Sequence, residues 1–91
     1  MDPAIPDIII SDVVVSTTGR DAGNWFYEIN EDPLLLYLAN GKDRTLEKPK
    51  RKKRKHVQQV LRPETRVAEK LRLGDKVLNS ELRRDLAKFA G

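Results

Sequence analysis

Residues 8–29 read Ile-Ile-Ile-Ser-Asp-Val-Val-Val-Ser-Thr-Thr-Gly-Arg-Asp-Ala-Gly-Asn-Trp-Phe-Tyr-Glu-Ile. Two apolar segments within this stretch, 8–16 and 24–29, are rich in the β-branched and aromatic side chains that favour strands. Between them, Gly19 and Gly23 bracket a short polar segment, and glycine allows the backbone angles that tight turns need. The stretch therefore predicts two strands joined by a tight turn.

The same alternation of apolar runs and turn signals continues to residue 60. A polar break at residues 31–33 precedes a third predicted strand over residues 34–39. Asn40 and Gly41 form a dipeptide that favours the type I′ turn between antiparallel strands, which predicts a fourth strand over residues 42–47 with Leu46 on its apolar face. A fifth short strand is predicted over residues 56–60. Five short strands in roughly 50 residues indicate a small barrel or half-barrel.

The last third of the chain changes to helical spacing. Pro63 suits the first position of a helix, and Gly74 suits the residue just past its end. Asn79 and Ser80 are both good N-caps for a second helix, in which Glu81 would complement the helix dipole. We therefore predict a mainly β domain over residues 1–60 and a C-terminal helical hairpin over residues 61–91. The apolar faces of the two helices would comprise Val67, Ala68, Leu71, Leu82, Leu86, Phe89 and Ala90.

A dense basic run interrupts the apolar pattern at residues 48–56, which read Lys-Pro-Lys-Arg-Lys-Lys-Arg-Lys-His. Seven of these nine side chains carry a fixed positive charge, whereas the whole chain has a net charge of +4, so the rest of the chain is net negative. Seven neighbouring cations repel one another, and we expect them to remain in water or against a polyanion rather than in a core. The run favours binding to a nucleic-acid backbone; a solvated linker or a localisation signal is the alternative.

Three features in this order resemble one known family. Residues 15–23, Val-Ser-Thr-Thr-Gly-Arg-Asp-Ala-Gly, are followed by Ala39-Asn-Gly-Lys42 and then by Leu46-Glu-Lys-Pro-Lys-Arg-Lys-Lys-Arg-Lys-His56. This succession is similar to that of the bacterial KOW-domain RNA-binding proteins, and to the KOW domains of large-subunit ribosomal proteins of archaea and eukaryotes. The resemblance covers about residues 11–60, and a looser one extends into the helical segment. Two positions depart from the family pattern: Asn24 replaces a basic residue after the loop, and Asn40 replaces the hairpin aspartate.

The resemblance implies a small SH3-like β-barrel that binds RNA, and the implied partners are ribosomal RNA and, through the C-terminal helices, ribosomal proteins. The loop backbone would be provided by Gly19 and Gly23. A stacking role for Trp25 or Tyr27 comes from the residues themselves, because exposed aromatics near cations can stack on unpaired bases; burial in the core is the alternative. The implied RNA contacts are Arg20, Lys42, Lys48, Lys50, Arg51, Lys52, Lys53, Arg54, Lys55 and His56.

Other functional classes find no support in the sequence. The carboxylates are scattered, no nucleophile stands near a base, and no phosphate-binding loop appears, so we expect no enzymatic activity and no cofactor. The lone His56 and the absence of cysteine argue against a metal site. The apolar runs are too short to span a bilayer, and Asp2 and Asp7 lie where a signal peptide would be basic. We therefore expect a cytoplasmic protein with no membrane partner.

The helical pair leaves three interpretations open. It can cap the β domain, it can present a docking surface to a ribosomal or RNA-processing partner, or it can act as a helix-turn-helix unit that reads DNA. Short helices are marginal alone, so each interpretation requires the apolar faces to be covered. A permanent structural role in the large ribosomal subunit is a further alternative to transient RNA binding.

Overall fold

The computed structural model describes residues 8–90, in which an antiparallel sheet of five strands precedes two C-terminal helices. The strand order across the sheet is β4-β3-β2-β1-β5. The prediction of a mainly β fold with C-terminal helices is confirmed, although the sheet is open between β4 and β5 rather than closed into a barrel. The elements are β1 Val13–Ser16, β2 Trp25–Glu31, β3 Leu35–Ala39, β4 Lys50–Lys53, β5 Val57–Leu61, α1 Arg66–Leu73 and α2 Asn79–Ala90.

The first strand is shorter than predicted, because the chain turns a corner before Val13. Ser11 has a φ of 83°, and the backbone N–H of Asp12 donates to the carbonyl of Ile9. The Asp12 carboxylate is fully buried and accepts hydrogen bonds from the Ile9 backbone and from the side chain of Arg62. A buried carboxylate with these partners fixes a turn where the apolar run alone predicts a strand. Asp2 and Asp7, which argue against a signal peptide, lie outside the described residues.

The predicted fourth strand over residues 42–47 is wrong, and the returning strand is β4, within the basic run. The Asn40 side chain accepts hydrogen bonds from the backbone of Lys42 and Arg44, and the Asn79 side chain accepts one from the backbone of Leu46. Side-chain amides therefore satisfy backbone donors that a strand would pair with a neighbour. Residues 42–49 instead cross from the end of β3 toward the start of α2.

The sheet buries apolar side chains on both faces. One cluster combines Val14, Phe26, Leu36, Leu38 and Val57, which come from four different strands. The opposite face carries a second cluster, in which side chains of the sheet pack against both helices. That second cluster comprises Val13, Tyr27, Ala39, Val67, Ala68, Leu82 and Leu86. The two helices therefore cap the β-sheet within the same chain, as one of the three interpretations of the sequence predicted.

The first helix ends where Gly74 predicted but begins later than Pro63 predicted. Thr65 is the N-cap, and its side chain accepts a hydrogen bond from the backbone of Ala68. Gly74 adopts the left-handed conformation just past the end, and the following residue bonds back to the carbonyl of Lys70. Pro63 precedes the helix rather than opening it. An ion pair of 3.0 Å between Lys70 and Glu81 joins the two helices.

One buried phenol ties the sheet to both helical segments. The Tyr27 hydroxyl donates to the Asp85 carboxylate of α2 at 2.9 Å and lies 3.2 Å from the Thr65 hydroxyl at the start of α1. Its ring also meets Phe89 edge-on at 6.5 Å between centroids. Burial raises the pKa of Tyr27 well above its usual value, and the nearby Asp85 carboxylate raises it further. Within residues 8–90 no helix is long and apolar enough to cross a membrane.

Candidate nucleic-acid interface

The basic run forms an edge strand and a short turn. Residues 50–53 form β4 at the edge of the sheet, and Arg54–His56 form a 3-10 turn that leads into β5. In the pairing with β3, Lys52 lies opposite the buried Leu36, whereas Arg51 lies opposite Tyr37 on the other face. The period of two in a strand therefore gives neighbouring cations of the run different environments.

Lys52 is buried, contrary to the expectation that the whole run lies in solvent. Its side chain is 8% exposed, and its Nζ lies 2.6 Å from both the Asp21 carboxylate and the Thr18 carbonyl. Burial raises the pKa of Asp21, but the hydrogen bonds from Lys52 and Ser16 outweigh this effect and leave the pKa below its usual value. The pair stabilises the fold above pH 3.8, and its contribution is lost as the pH falls through the lowered pKa. Lys52 therefore fixes the β1–β2 loop to the edge strand and is not available to a phosphate.

Arg54 is the second cation of the run with partners inside the chain. Its Nη2 donates to the Glu31 carboxylate at 2.9 Å, and its Nη1 donates to the carbonyl of Ile8. Both side chains of the ion pair are more than one-third exposed, so the pair contributes little to stability. Arg54 remains accessible at the surface, but part of its guanidinium is already engaged.

The other predicted cations are accessible. Lys50 is half-buried, and the rest are exposed. In residues 8–90 none of their side chains has a hydrogen-bond or ion-pair partner. Groups of this kind are free to contact phosphate without breaking an existing interaction. They are Arg20, Lys42, Lys48, Lys50, Arg51, Lys53 and Lys55, and the half-buried His56 is likewise unpaired in this part of the chain.

The β1–β2 loop has the geometry that its glycines predict. Gly19 and Gly23 have φ angles of 80° and 88°, which favour glycine. The backbone of Gly23 donates to the carbonyl of Ser16, which closes the loop, and the buried side of the loop holds Asp21 against Lys52. Arg20 is exposed on this loop, and its side chain has no hydrogen-bond or ion-pair partner in residues 8–90.

A cleft of about 710 Å³ brings together predicted site residues from two separate loops. It lies between the β1–β2 loop, the segment after β3 and the helix α2. The half-buried Trp25 lines it together with Lys42, and α2 contributes Arg83. Asp43 is also part of the lining. The cleft therefore brings an aromatic residue together with cations from two segments of the chain.

The aromatic residues of β2 divide between the two faces of the sheet, as strand geometry requires. Phe26 belongs to one apolar cluster, and Tyr27 belongs to the other, where it has no exposed surface. The predicted stacking role does not suit Tyr27, because a fully buried ring offers no face to a base. Trp25 packs against the same cluster as Tyr27 but keeps part of its surface in the cleft.

A second depression, of about 880 Å³, adjoins the basic run. It is lined by the β2–β3 turn and by Lys53, Arg54 and Lys55. Leu34, at the tip of that turn, is 78% exposed, which is unusual for a large apolar side chain. The exposed cations of the run therefore border an apolar surface as well as open solvent.

Sequence reasoning misses two features of the structure, one beside the cleft and one at a buried position of β2. Arg83 is, in the sequence, only one of several helix cations, but its Nη1 donates to the carbonyl of Gly41 at 2.7 Å, which holds the guanidinium beside the cleft. Glu28 is fully buried, and neither of its carboxylate oxygens has a hydrogen-bond partner among the described residues. Burial, reinforced by the nearby Glu31, raises the pKa of Glu28 to about 8. Neither feature has a local signal, because each depends on contacts between distant segments.

No protein-family model and no curated protein matches this chain. The candidate interface therefore rests on the residues themselves and on their arrangement in the fold. In the part of the chain that the structure describes, no group of three or more histidine, cysteine or acidic side chains is placed to hold a metal ion.

Proposed function

We propose that this chain binds structured RNA through its phosphate backbone and performs no chemistry. The observation that carries the proposal is the set of accessible cations along β4 and the 3-10 turn. Arg51, Lys53 and Lys55 are exposed and have no partner in residues 8–90. Lysine on an edge strand can also serve to prevent pairing with another sheet, but so dense a run exceeds that need. Phosphate neutralisation accounts for these accessible cations.

The resemblance to KOW-domain proteins supports the same function. It points to an SH3-like barrel and to ribosomal RNA as the partner. The apolar cluster formed by side chains of four strands is consistent with a sheet that curls strongly around it. A backbone hydrogen bond of 2.9 Å from Thr17 to the carbonyl of His56 links the end of β1 to the 3-10 turn. These contacts favour a barrel-like architecture that is incompletely closed.

The proposal is tested by measuring RNA affinity as a function of salt. A fluorescently labelled hairpin RNA is titrated with the protein over a range of KCl concentrations, and anisotropy gives the Kd. If four or five cations meet phosphates, log K should fall against log salt with a slope of roughly −3 to −4.5. A DNA duplex of the same length tests the helix-turn-helix alternative, which requires binding to DNA and a preference for its sequence.

A matched pair of triple variants locates the interface. Arg51→Gln, Lys53→Gln and Lys55→Gln together remove three exposed charges from the run. The control removes three exposed charges from the helical segment, at Lys76, Arg84 and Lys88. We expect the first variant to lose affinity by about tenfold or more and to flatten the salt slope by about 2 to 3, with little loss in the control. Equal losses in both variants, or a slope near zero for the native protein, would contradict the proposal.

The ribosomal assignment needs a separate measurement. Cell lysates are fractionated on sucrose gradients at low and at high salt, and the protein is followed by immunoblotting. A transient RNA binder should leave the ribosomal fractions at high salt, whereas a structural component of the large subunit should remain. Absence from ribosomal fractions in both gradients would leave RNA binding as proposed but would exclude ribosomal RNA as the partner.

A further inference from the structure

The cleft beside Trp25 is built from three parts of the chain and combines two kinds of recognition. Its lining includes the half-buried Trp25 and apolar residues of α2. Lys42 and Arg83 provide positive charge on the side of the β3–β4 segment and of α2. A ligand that fits both features is flat, aromatic and negatively charged, which is the chemistry of a nucleotide.

Two polar side chains of the cleft, those of Arg83 and Asn40, are held in place before any ligand arrives. The guanidinium of Arg83 is fixed by its hydrogen bond to the Gly41 carbonyl. The Asn40 side-chain oxygen accepts two backbone hydrogen bonds, so its amide nitrogen is the group left to donate to a ligand. Gly41 allows this close packing, because a Cβ at that position would lie 2.1 Å from the Asn79 carbonyl oxygen. A site with fixed polar groups loses less entropy on binding than a mobile one.

We propose that this cleft receives a single unstacked nucleotide of the bound RNA. The base lies against Trp25, and the adjacent phosphate lies between Lys42 and Arg83. The volume of about 710 Å³ falls within the range of roughly 300–1,000 Å³ in which pockets hold small ligands. A base inside a duplex is stacked on its neighbours and cannot enter, so the ligand is a bulged or looped nucleotide. The inference rests on the proposed RNA binding and adds a preference for unpaired positions.

The Asp43 carboxylate in the lining is compatible with this ligand. A carboxylate repels phosphate, but it accepts hydrogen bonds from the exocyclic amino groups of adenine, cytosine or guanine. The cleft nevertheless has a net positive charge, because it is lined by the two cations Lys42 and Arg83 and by the single carboxylic acid Asp43. We therefore place the phosphate at the two cations and the edge of the base toward Asp43.

Trp25 is the only tryptophan in the chain, so its fluorescence reports directly on the cleft. Two labelled hairpin RNAs are compared, one with a fully paired stem closed by a synthetic linker and one with a single bulged adenosine in that stem. We expect the bulged RNA to bind about tenfold more tightly, which is the lower range for one base stacked on an aromatic side chain. It should also quench the Trp25 emission, whereas the paired RNA should bind without quenching.

Three variants that each remove one positive charge complete the test. Lys42→Gln removes an exposed cation of the cleft that has no partner in residues 8–90, and Arg83→Gln removes the fixed one. Arg84→Gln is the control, because Arg84 is exposed on the same helix but does not line the cleft. The preference for the bulged RNA should fall to about threefold or less in the first two variants and remain in the third.

The failure of this inference and that of the proposed function give different results. Equal affinity for the two RNAs, with Trp25 unquenched and a normal salt slope, would overturn the inference and leave the RNA-binding proposal intact. The same holds if Arg84→Gln abolishes the preference as fully as Lys42→Gln. Absence of binding to both RNAs at low salt would overturn the proposed function and the inference together.

Discussion

Replacing Lys52 by glutamine should unfold the protein more readily without removing a contact to RNA. This lysine lies in the middle of the basic run, yet its side chain is 8% exposed and its ammonium group contacts the Asp21 carboxylate and the Thr18 carbonyl. Glutamine cannot supply the charge that this carboxylate needs. The substitution therefore leaves Asp21, whose side chain is 15% exposed, as a charge with no counterion in a largely dry site.

The decrease in the free energy of unfolding depends on the groups that remain around Asp21. Loss of one member of a buried ion pair costs about 3–5 kcal/mol. One of the oxygens of Asp21 keeps its hydrogen bond from Ser16, and the carboxylate is slightly exposed, so we expect the low end, about 3 kcal/mol. For a domain of this size, such a loss lowers the Tm by roughly 12–24 °C.

Urea denaturation followed by Trp25 fluorescence measures the effect, with Lys53→Gln as the matched control. Lys53 is the next residue of the same strand, is exposed and has no partner in residues 8–90, so its substitution should change the free energy of unfolding by less than about 0.5 kcal/mol. RNA affinity should show the opposite pattern: Lys53→Gln should bind RNA more weakly than the native protein, because it removes an accessible cation. If the two variants are equally stable, the burial of Lys52 does not stabilise the fold, and the reasoning is refuted.

Four further predictions test other parts of the structure. Arg20→Ala should weaken RNA binding by about 1–2 kcal/mol with an unchanged Tm, and a large drop in Tm would show a structural role instead. The pKa of Glu28 is raised from 4.5 to about 8, so the native protein should be most stable below pH 4.5. Its free energy of unfolding should fall as the pH rises toward 8, by up to about 1.4 kcal/mol per pH unit. Urea denaturation across this pH range should show a weaker dependence of stability on pH for Glu28→Gln. Gly41→Ala should cost clearly more than Gly74→Ala, since both have a φ of 75° but only the first clashes with the α2 backbone, and equal losses in urea denaturation would contradict the clash. Tyr27→Phe should cost about 1–3 kcal/mol in the same assay, because it leaves the carboxylate of α2 without its donor, and an unchanged stability would show that this hydrogen bond contributes nothing.

Local sequence patterns are sufficient for most of the fold. The β-branched and aromatic runs mark β1, β2, β3 and β5 to within a few residues, apart from the early start given to β1. Gly74 marks the end of α1 and Asn79 marks the start of α2, whereas Pro63 does not open α1. These patterns succeed because each element depends mainly on its own periodicity. The predicted type I′ turn at Asn40 and Gly41 is wrong, because Asn40 lacks the positive φ that this turn requires. The path of the chain after β3 depends instead on Asn79, which lies far along the sequence. No local pattern contains that contact.

The candidate site could likewise be predicted from the sequence only in part. The identity of the cations could be predicted from the sequence, because a dense basic run has few other uses. Which of them are free could not be predicted, since Lys52 and Arg54 find partners in the β1–β2 loop and in β2. The cleft was also beyond prediction, because Arg83 reaches it only after α2 has packed against the sheet.

The pairing between Lys52 and Asp21 also determines how the edge strand is aligned. A run made almost entirely of lysine and arginine looks nearly the same after a slip of one residue, so its own composition cannot select an alignment. Such a slip would exchange the two faces of β4 and turn Arg51 or Lys53 toward the buried side. The two acceptors in the loop, Asp21 and Thr18, lie 31 and 34 residues earlier in the chain. They bind one ammonium group and so select one alignment among near-equivalent ones. The residues that determine the register of β4 therefore lie in the β1–β2 loop rather than in β4 itself.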